Sequence, residues 1–246
     1  MEAKLDTRSQ LLQRLDEFKQ WDIVTVDLGE PFGHEQGGLC LAVIVSNNLG
    51  NKNSSILSIA PLVDYMRKKE KNLPMHVHMR TGLGNKTLML EQMRVVDKRR
   101  VISQHSPIHS IYKPAIRKAI VLNYHVRLNR VPYEGNYAQG SIVWTNLSPV
   151  MGSEQAGERS VLIVSNDVGN RVSPIVSVTP LSMKVEEKIH RSFPLHYVIE
   201  TELGPRVVLP EQTRILDKRR LSEKLTKISE SQFQNIYHRL LQVYGI

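Results

Sequence analysis

Apolar positions along the chain fall into short runs rich in Val and Ile, each ended by Gly, Asn or Pro, which is the pattern of β-strands. The runs predict strands at Ile23–Leu28, Leu41–Ser46, Ile56–Leu62 and Met75–Met79. They predict a second set at Ile142–Leu147, Val161–Ser165, Ile175–Leu181 and Leu195–Glu200. Three segments carry helical spacing instead. One holds Ile111, Ala115, Ile116, Ala119, Ile120 and Leu122. The C-terminal one holds Phe233, Ile236, Tyr237, Leu240, Leu241 and Tyr244, with Ser229 as N-cap and Gln232 completing a capping box. The third, Ser9–Trp21, puts Leu11, Leu12, Leu15 and Phe18 on one stripe. About five short strands closed by a terminal helix predict a small, bent antiparallel barrel, hence an α+β, mainly β fold.

The two sets of strands belong to an internal repeat. DIVTVDLGEPFGHEQGGLCLAVIVSNNLG at 22–50 matches SIVWTNLSPVMGSEQAGERSVLIVSNDVG at 141–169, an offset of 119. LEQMRVVDKRRV at 90–101 then matches PEQTRILDKRRL at 210–221, an offset of 120. Two copies mean a duplicated small domain and not a solenoid. The expected layout is a helical extension at 1–21, a first unit at 22–128, a linker at 129–140 rich in Pro, Gly, Asn and Gln, and a second unit at 141–246.

Composition narrows the class. With 41% hydrophobic and 23% charged residues the chain is an ordinary globular one. No apolar stretch approaches the ~18 residues of a membrane span, and the first residues have no secretory h-region. A cytoplasmic protein is expected, and Cys40, the single cysteine, allows neither an intrachain disulfide nor a cysteine zinc cage. The net charge of +9 favours a polyanionic partner. Its distribution is uneven: +8 on residues 1–131 and +1 on 132–246, with the runs Arg67–Lys71 and Lys98–Arg100 carrying much of the excess. The G-x-E-Q-x-G loop of each copy suits a turn with positive φ and free amide N–H groups that could face a phosphate.

Gly152-Ser153-Glu154-Gln155-Ala156-Gly157-Glu158-Arg159, followed by Val161–Asn170 and by Pro210-Glu211-Gln212-Thr213-Arg214-Ile215-Leu216-Asp217-Lys218, resembles the MazF/PemK/Kid toxin family. Both copies share the motifs. The resemblance implies SH3-like barrels, each with a C-terminal helix, joined here as a single-chain pseudodimer that is monomeric in solution. It also implies metal-independent cleavage of single-stranded RNA, leaving a 2′,3′-cyclic phosphate and a 5′-hydroxyl, no cofactor, and an antitoxin as partner.

Carried onto this sequence, the resemblance makes Arg159 the catalytic arginine, its planar, permanently charged fork suited to a phosphate. Ser182 stands where many relatives have threonine, and Ser160 where they usually have proline. The first copy has Cys40 and Val63 at the positions of Arg159 and Ser182, so its site is expected to be degenerate, with Cys40 a structural thiol. The first copy would then act as an electrostatic platform and the second as the cutter. Glu154, Glu211 and His34 are candidates for proton transfer. RNA contacts are expected from Gly152, Ser153, Gln155, Gly157, Arg171, Gln212, Arg214, Lys68 and Lys69. Asp217 is also a plausible cap of a short helix. Two other readings remain open: a decayed toxin kept for nucleic-acid binding or regulation, and a gyrase-directed protein-binding toxin.

Overall fold

A computed structural model describes residues 18–65, 73–125, 135–190 and 194–246, without the side chains of 189 and 190. The first unit runs β1 (Ile23–Asp27), β2 (Leu39–Ile44), α1 (Asn48–Asn53), β3 (Ile56–Asp64), β4 (His76–Thr81), β5 (Gly84–Met89), β6 (Arg94–Asp97), β7 (Val101–His105) and α2 (Lys113–Tyr124). The second runs β8 (Ser141–Asn146), β9 (Glu158–Ile163), α3 (Asp167–Val172), β10 (Ile175–Ser182), α4 (Val185–His190), β11 (Tyr197–Ile199), β12 (Arg206–Val208), β13 (Arg214–Asp217), β14 (Leu221–Lys227) and α5 (Glu230–Val243). The fold is α+β and mainly β, in two matching units.

Each unit is one antiparallel seven-stranded sheet, in the order β4-β5-β3-β2-β1-β7 and β11-β12-β10-β9-β8-β14. The long strand β3 forks: Ile56–Ile59 pair with β6, and Leu62–Asp64 pair with β5. β10 forks in the same way between β13 and β12. The hydrogen-bonded path ends at β4 and β7, so the expected closure into a barrel is not found. The strands missing from the sequence reading are short or polar, such as SEKLT within β14, where an edge strand has only one neighbour to satisfy.

Both faces of the central strands are buried. Ile23, Val43 and Leu62 join Ile142, Leu162 and Leu181 in one core shared by the two units, capped by Ile116, Ile120, Ile236 and Leu240 of the terminal helices. Their sequence neighbours Val24, Ala42 and Ile44 line a separate core inside unit 1, and Val143, Val161 and Ile163 line its counterpart in unit 2. This double burial is why the runs are continuously apolar and not alternating.

Local rules explain the ends. Ser229 accepts from Gln232 N–H at 3.2 Å while the Gln232 side chain accepts from Ser229 N–H at 3.1 Å, so the capping box forms on α5. Asp217 caps the 3-10 turn Lys218–Arg220. The described end of the third expected helix, residues 18–21, has no helical conformation: it ends in a turn, with Phe18 packed into the unit 1 core. The rest of that segment, the first half of the linker (129–134), the run Arg67–Lys71, and Lys68 and Lys69 with it, lie outside the described residues.

The repeated V-S-N-x-x-G-N motif joins the units. Asn47 caps α1 with its side chain, and its Nδ2 donates to Gln242 O at 2.6 Å on the end of α5. Asn166 caps α3 and donates from Nδ2 to Leu122 O at 2.7 Å on the end of α2. Each motif thus satisfies carbonyls that a helix end leaves without partners, and does so in the other unit. Gln20 and Gln139 add matching bonds, donating to Tyr244 O at 2.7 Å and to Tyr124 O at 3.1 Å. Between the helices the Tyr124 and Tyr244 hydroxyls meet at 2.9 Å, both fully buried.

Tyr244→Phe leaves the Tyr124 hydroxyl without this partner and is expected to cost about 1–3 kcal/mol in urea unfolding. The double variant Tyr124→Phe/Tyr244→Phe is expected to recover most of that loss, because it removes both polar groups. A double variant as unstable as the sum of the single ones would contradict the pairing.

Candidate functional site

The site forms where the loop between the first two strands of each unit meets the turn after the sixth strand of the other. In unit 2 this loop carries Gly152, Ser153, Glu154, Gln155 and Gly157. Glu154 reaches into unit 1. Its Oε1 accepts from Arg100 Nε at 2.5 Å and from Asp97 N–H at 2.9 Å, and Oε2 accepts from Arg100 Nη2 at 3.3 Å. In return Ser153 N–H donates to Asp97 Oδ2 at 2.9 Å. The mirror contact joins Glu35 to Arg220 Nη1 at 3.0 and 3.1 Å and to Asp217 N–H at 2.9 Å. His34 N–H donates to Asp217 Oδ2 at 3.0 Å, and its ring Nδ1 lies 3.0 Å from the same oxygen. The Arg219 guanidinium, overcoming the effect of burial and assisted by His34, holds the Asp217 carboxyl well below the usual carboxylate range.

Glycine makes this approach possible. Gly152 has φ of +56°, and a Cβ there would fall 1.6 Å from Arg99 Nη2 and 2.1 Å from Asp97 Oδ2. Gly33, at +57°, would meet Arg219 and Asp217 in the same way.

Arg159 and Ser182 lie at the adjoining ends of two neighbouring strands. The pairing of β9 with β10 runs to Val161–Pro180, and Arg159 and Ser182 each stand two residues beyond that last pair. Arg159 Nε donates to Ala156 O at 3.0 Å, Nη2 donates to the same carbonyl, and Nη1 donates to Gln155 Oε1. Of five guanidinium N–H donors, two remain for another acceptor. Burial lowers the Arg159 pKa from its ordinary value. The Ser182 hydroxyl accepts from Lys184 N–H at 3.2 Å. In unit 1 the pairing of β2 with β3 runs to Leu41–Leu62, and Cys40 and Val63 are the residues next beyond that pair. Cys40 packs against the unit 1 core, and burial pushes its thiol up to about 11.

The other expected residues are placed as follows. Gln212 is buried and clamps the loop: its Oε1 accepts from Gln155 N–H at 3.2 Å and its Nε2 donates to Ser153 O at 3.1 Å. Glu211 Oε1 lies 3.1 Å from His196 Nε2, and Glu91 and His76 form the same pair in unit 1 at 2.9 Å. Arg214 is buried, donating from Nη1 to Leu147 O at 3.3 Å. Burial, reinforced by Arg94 and Arg220 nearby, pushes its guanidinium below the ordinary value. Arg171 is exposed in the last turn of α3. Gly157 is half-buried, with open space where a Cβ would project.

The expectation of a charged platform at Lys98–Arg100 needs correction. Lys98 and Arg100 are buried, Arg100 against Glu154 of the other unit, whereas Arg99 is exposed and bonded to Asp97 of its own unit at 2.9 Å, so of this run Arg99 alone faces solvent. The structure also adds roles the sequence reading did not assign: Asp97 and Arg100 hold the unit 2 loop, and Gln92 clamps the unit 1 loop at Gln36 N–H and His34 O as Gln212 clamps that of unit 2. The persistence of E-Q and D-K-R-R in a unit without the Arg/Ser pair is the signal that marked them. Among the described residues no group of three or more His, Cys, Asp or Glu could hold a metal, and no helix is long and apolar enough to cross a membrane.

A family model described as PemK-like, MazF-like toxin of type II toxin–antitoxin system matches residues 19–122 and again 138–244. Among solved structures, MazF from Deinococcus radiodurans is 25% identical over 48% of this chain and 100% of its own, with a TM-score of 0.39. An endoribonuclease from a mycobacterial species, in complex with its cognate antitoxin, is 17% identical over 42% of this chain and 91% of its own, at 0.36. The Mycobacterium tuberculosis toxin MazF-mt6 is 14% identical over 41% and 92%, at 0.34.

Two outcomes test this geometry. Gly152→Ala and Gly157→Ala both place a side chain at positive φ, at about 1–2 kcal/mol each. Only Gly152→Ala also drives a Cβ into Asp97 and Arg99, so it is expected to be about 1–3 kcal/mol the worse of the two in thermal unfolding. Alkylation of Cys40 by iodoacetamide is expected to be slow at neutral pH and to rise toward pH 11, as fits a buried thiol and not an activated nucleophile.

Proposed function

The chain belongs to the PemK-like, MazF-like toxin family of type II toxin–antitoxin systems, matched once in each unit, and on that premise we propose that it is an endoribonuclease whose chemistry resides in unit 2. The observation that carries the proposal is that Arg159 and Ser182 lie at the adjoining ends of β9 and β10, where unit 1 has Cys40 and Val63 at the adjoining ends of β2 and β3. A guanidinium with two free donors and a neighbouring hydroxyl suits the charge that grows on a phosphate under attack. Cys40 and Val63 offer neither.

In the proposed reaction the ribose 2′-oxygen attacks the adjacent phosphorus of single-stranded RNA. The O2′–P bond forms, the P–O5′ bond breaks, and the ends are a 2′,3′-cyclic phosphate and a 5′-hydroxyl. Arg159 and Ser182 stabilise the non-bridging oxygens. Of the three groups considered for proton transfer, Glu154 is committed to Arg100 and Glu211 is paired with His196, whereas the His34 side chain is 62% exposed. We assign proton transfer to His34. With a proton on Nδ1 facing Asp217, Nε2 is left as the acceptor for the 2′-hydroxyl proton, which then passes to the departing 5′-oxygen. Backbone and side-chain groups of Gly152, Ser153 and Gln155 supply RNA contacts beside Arg159. An antitoxin with an acidic segment is the proposed protein partner, and the basic chain suits it.

Cleavage of a long single-stranded RNA with EDTA present tests the reading. Discrete cuts are expected from the native chain, falling by about 100-fold or more in Arg159→Ala and by roughly 10-fold in Ser182→Ala, the loss of one charge-assisted hydrogen bond. RNA that is bound but left uncut by both native chain and Arg159→Ala would overturn the reading in favour of a binding protein. Binding of gyrase without RNA cleavage would favour a protein-directed toxin.

A further inference from the structure

Unit 1 lacks the Arg/Ser pair, yet it holds the loop from which Arg159 is positioned. The chain of contacts is continuous. Asp97 of unit 1 takes Ser153 N–H at 2.9 Å, and Arg100 with the Asp97 backbone takes Glu154. Gln212 grips the same loop from its own unit, at Ser153 O and Gln155 N–H. The Arg159 guanidinium in turn donates to this loop, at Gln155 Oε1 and Ala156 O. The loop has two glycines at positive φ, Gly152 and Gly157, so its own backbone preference does little to hold it.

We propose that Asp97 and Arg100 of the degenerate unit are positioning residues for Arg159 of the other, acting through residues 153–156. The inference rests on the reading of Arg159 as the phosphate-binding group, but the tether itself is a property of the fold. It gives unit 1 a role in the reaction that its own strands cannot perform, and it makes the site incomplete in an isolated unit 2. The mirror contact, Asp217 to the His34 loop, grips the other loop and does not touch the Arg159 tether.

The test is proton exchange at Arg159 Nε–H, followed by NMR in the full chain, beside single-turnover RNA cleavage. Asp97→Ala is expected to speed exchange at Arg159 Nε–H and at the Ser153 amide by 10-fold or more. It is also expected to lower the cleavage rate 10- to 100-fold with RNA affinity changed less than 3-fold. Asp97→Asn keeps an acceptor for Ser153 N–H and is expected to fall between; it serves as the variant if Asp97→Ala does not fold. Asp217→Ala, the same deletion on the other loop, is expected to leave Arg159 Nε–H exchange unchanged. Unaltered exchange in Asp97→Ala, or equal acceleration by Asp97→Ala and Asp217→Ala, would overturn the proposal. A native chain that cuts no RNA would sink the endoribonuclease reading, while the exchange measurement would still decide the tether.

Discussion

The structure depends on two crossed carboxylates. Glu35 of the first unit is buried against Arg220 of the second, and Glu154 of the second against Arg100 of the first. Each carboxylate also takes a backbone N–H from the opposite unit, so its charge is answered from more than one direction. Removing one partner of such a pair leaves a buried charge without an answer, at about 3–5 kcal/mol. The net stabilisation of the intact pair is smaller, because both charges lose their water. What the pairs supply is register. A loop from one unit and a turn from the other satisfy each other only in this arrangement, and the glycine contacts at Gly33 and Gly152 fit only when it is made.

Around that constraint the interface carries an excess of positive charge. Arg94 and Arg214 are buried beside Arg100 and Arg220, with Glu35 and Glu154 as the counter-charges that bear on them. The Nε atoms of Arg94 and Arg214 have no hydrogen-bond partner among the described residues. Apolar packing offsets such costs: the largest core is shared between the units, and the helix ends of each are capped by the Asn of the other. Covalent linkage helps further, because joining the units on one chain turns their association into an intramolecular event with a high effective concentration. The side chains of Arg159 and Ser182 bond within their own unit, whereas His34 also joins the units through Asp217. Cys40 and Val63 could therefore replace the Arg/Ser pair in unit 1 while Glu35, Asp97 and Arg100 kept the units together.

Much of the fold was legible. The continuous apolar runs marked the central strands because both of their faces are buried, and Ser229 with Gln232 marked the start of the last helix because capping is a local event. The peripheral strands escaped notice for the opposite reason. β14 is polar over most of its length, and β12 is three residues long, too short for a period to show. Arg159 and Ser182 were singled out from motif positions, and they lie at the adjoining ends of β9 and β10. The burial of Arg100 within the run Lys98–Arg100 was not legible, because nothing near it in the chain announces the carboxylate of Glu154 that answers it.

By itself, then, the sequence determined what local chemistry and repetition can determine: two units, their family, the strands with two buried faces, the capped terminal helix, and the loss of the Arg/Ser pair from one copy. Tertiary structure decided which charges are spent on holding the units together and which stay available to a ligand. It placed the loop of each unit on the turn of the other, left His34 exposed beside Asp217, and took Arg214 out of solvent. The physical reason is that a charge is worth what surrounds it. Burial and counter-charge are set by contacts between residues 54 to 185 positions apart, and no spacing along the chain records them.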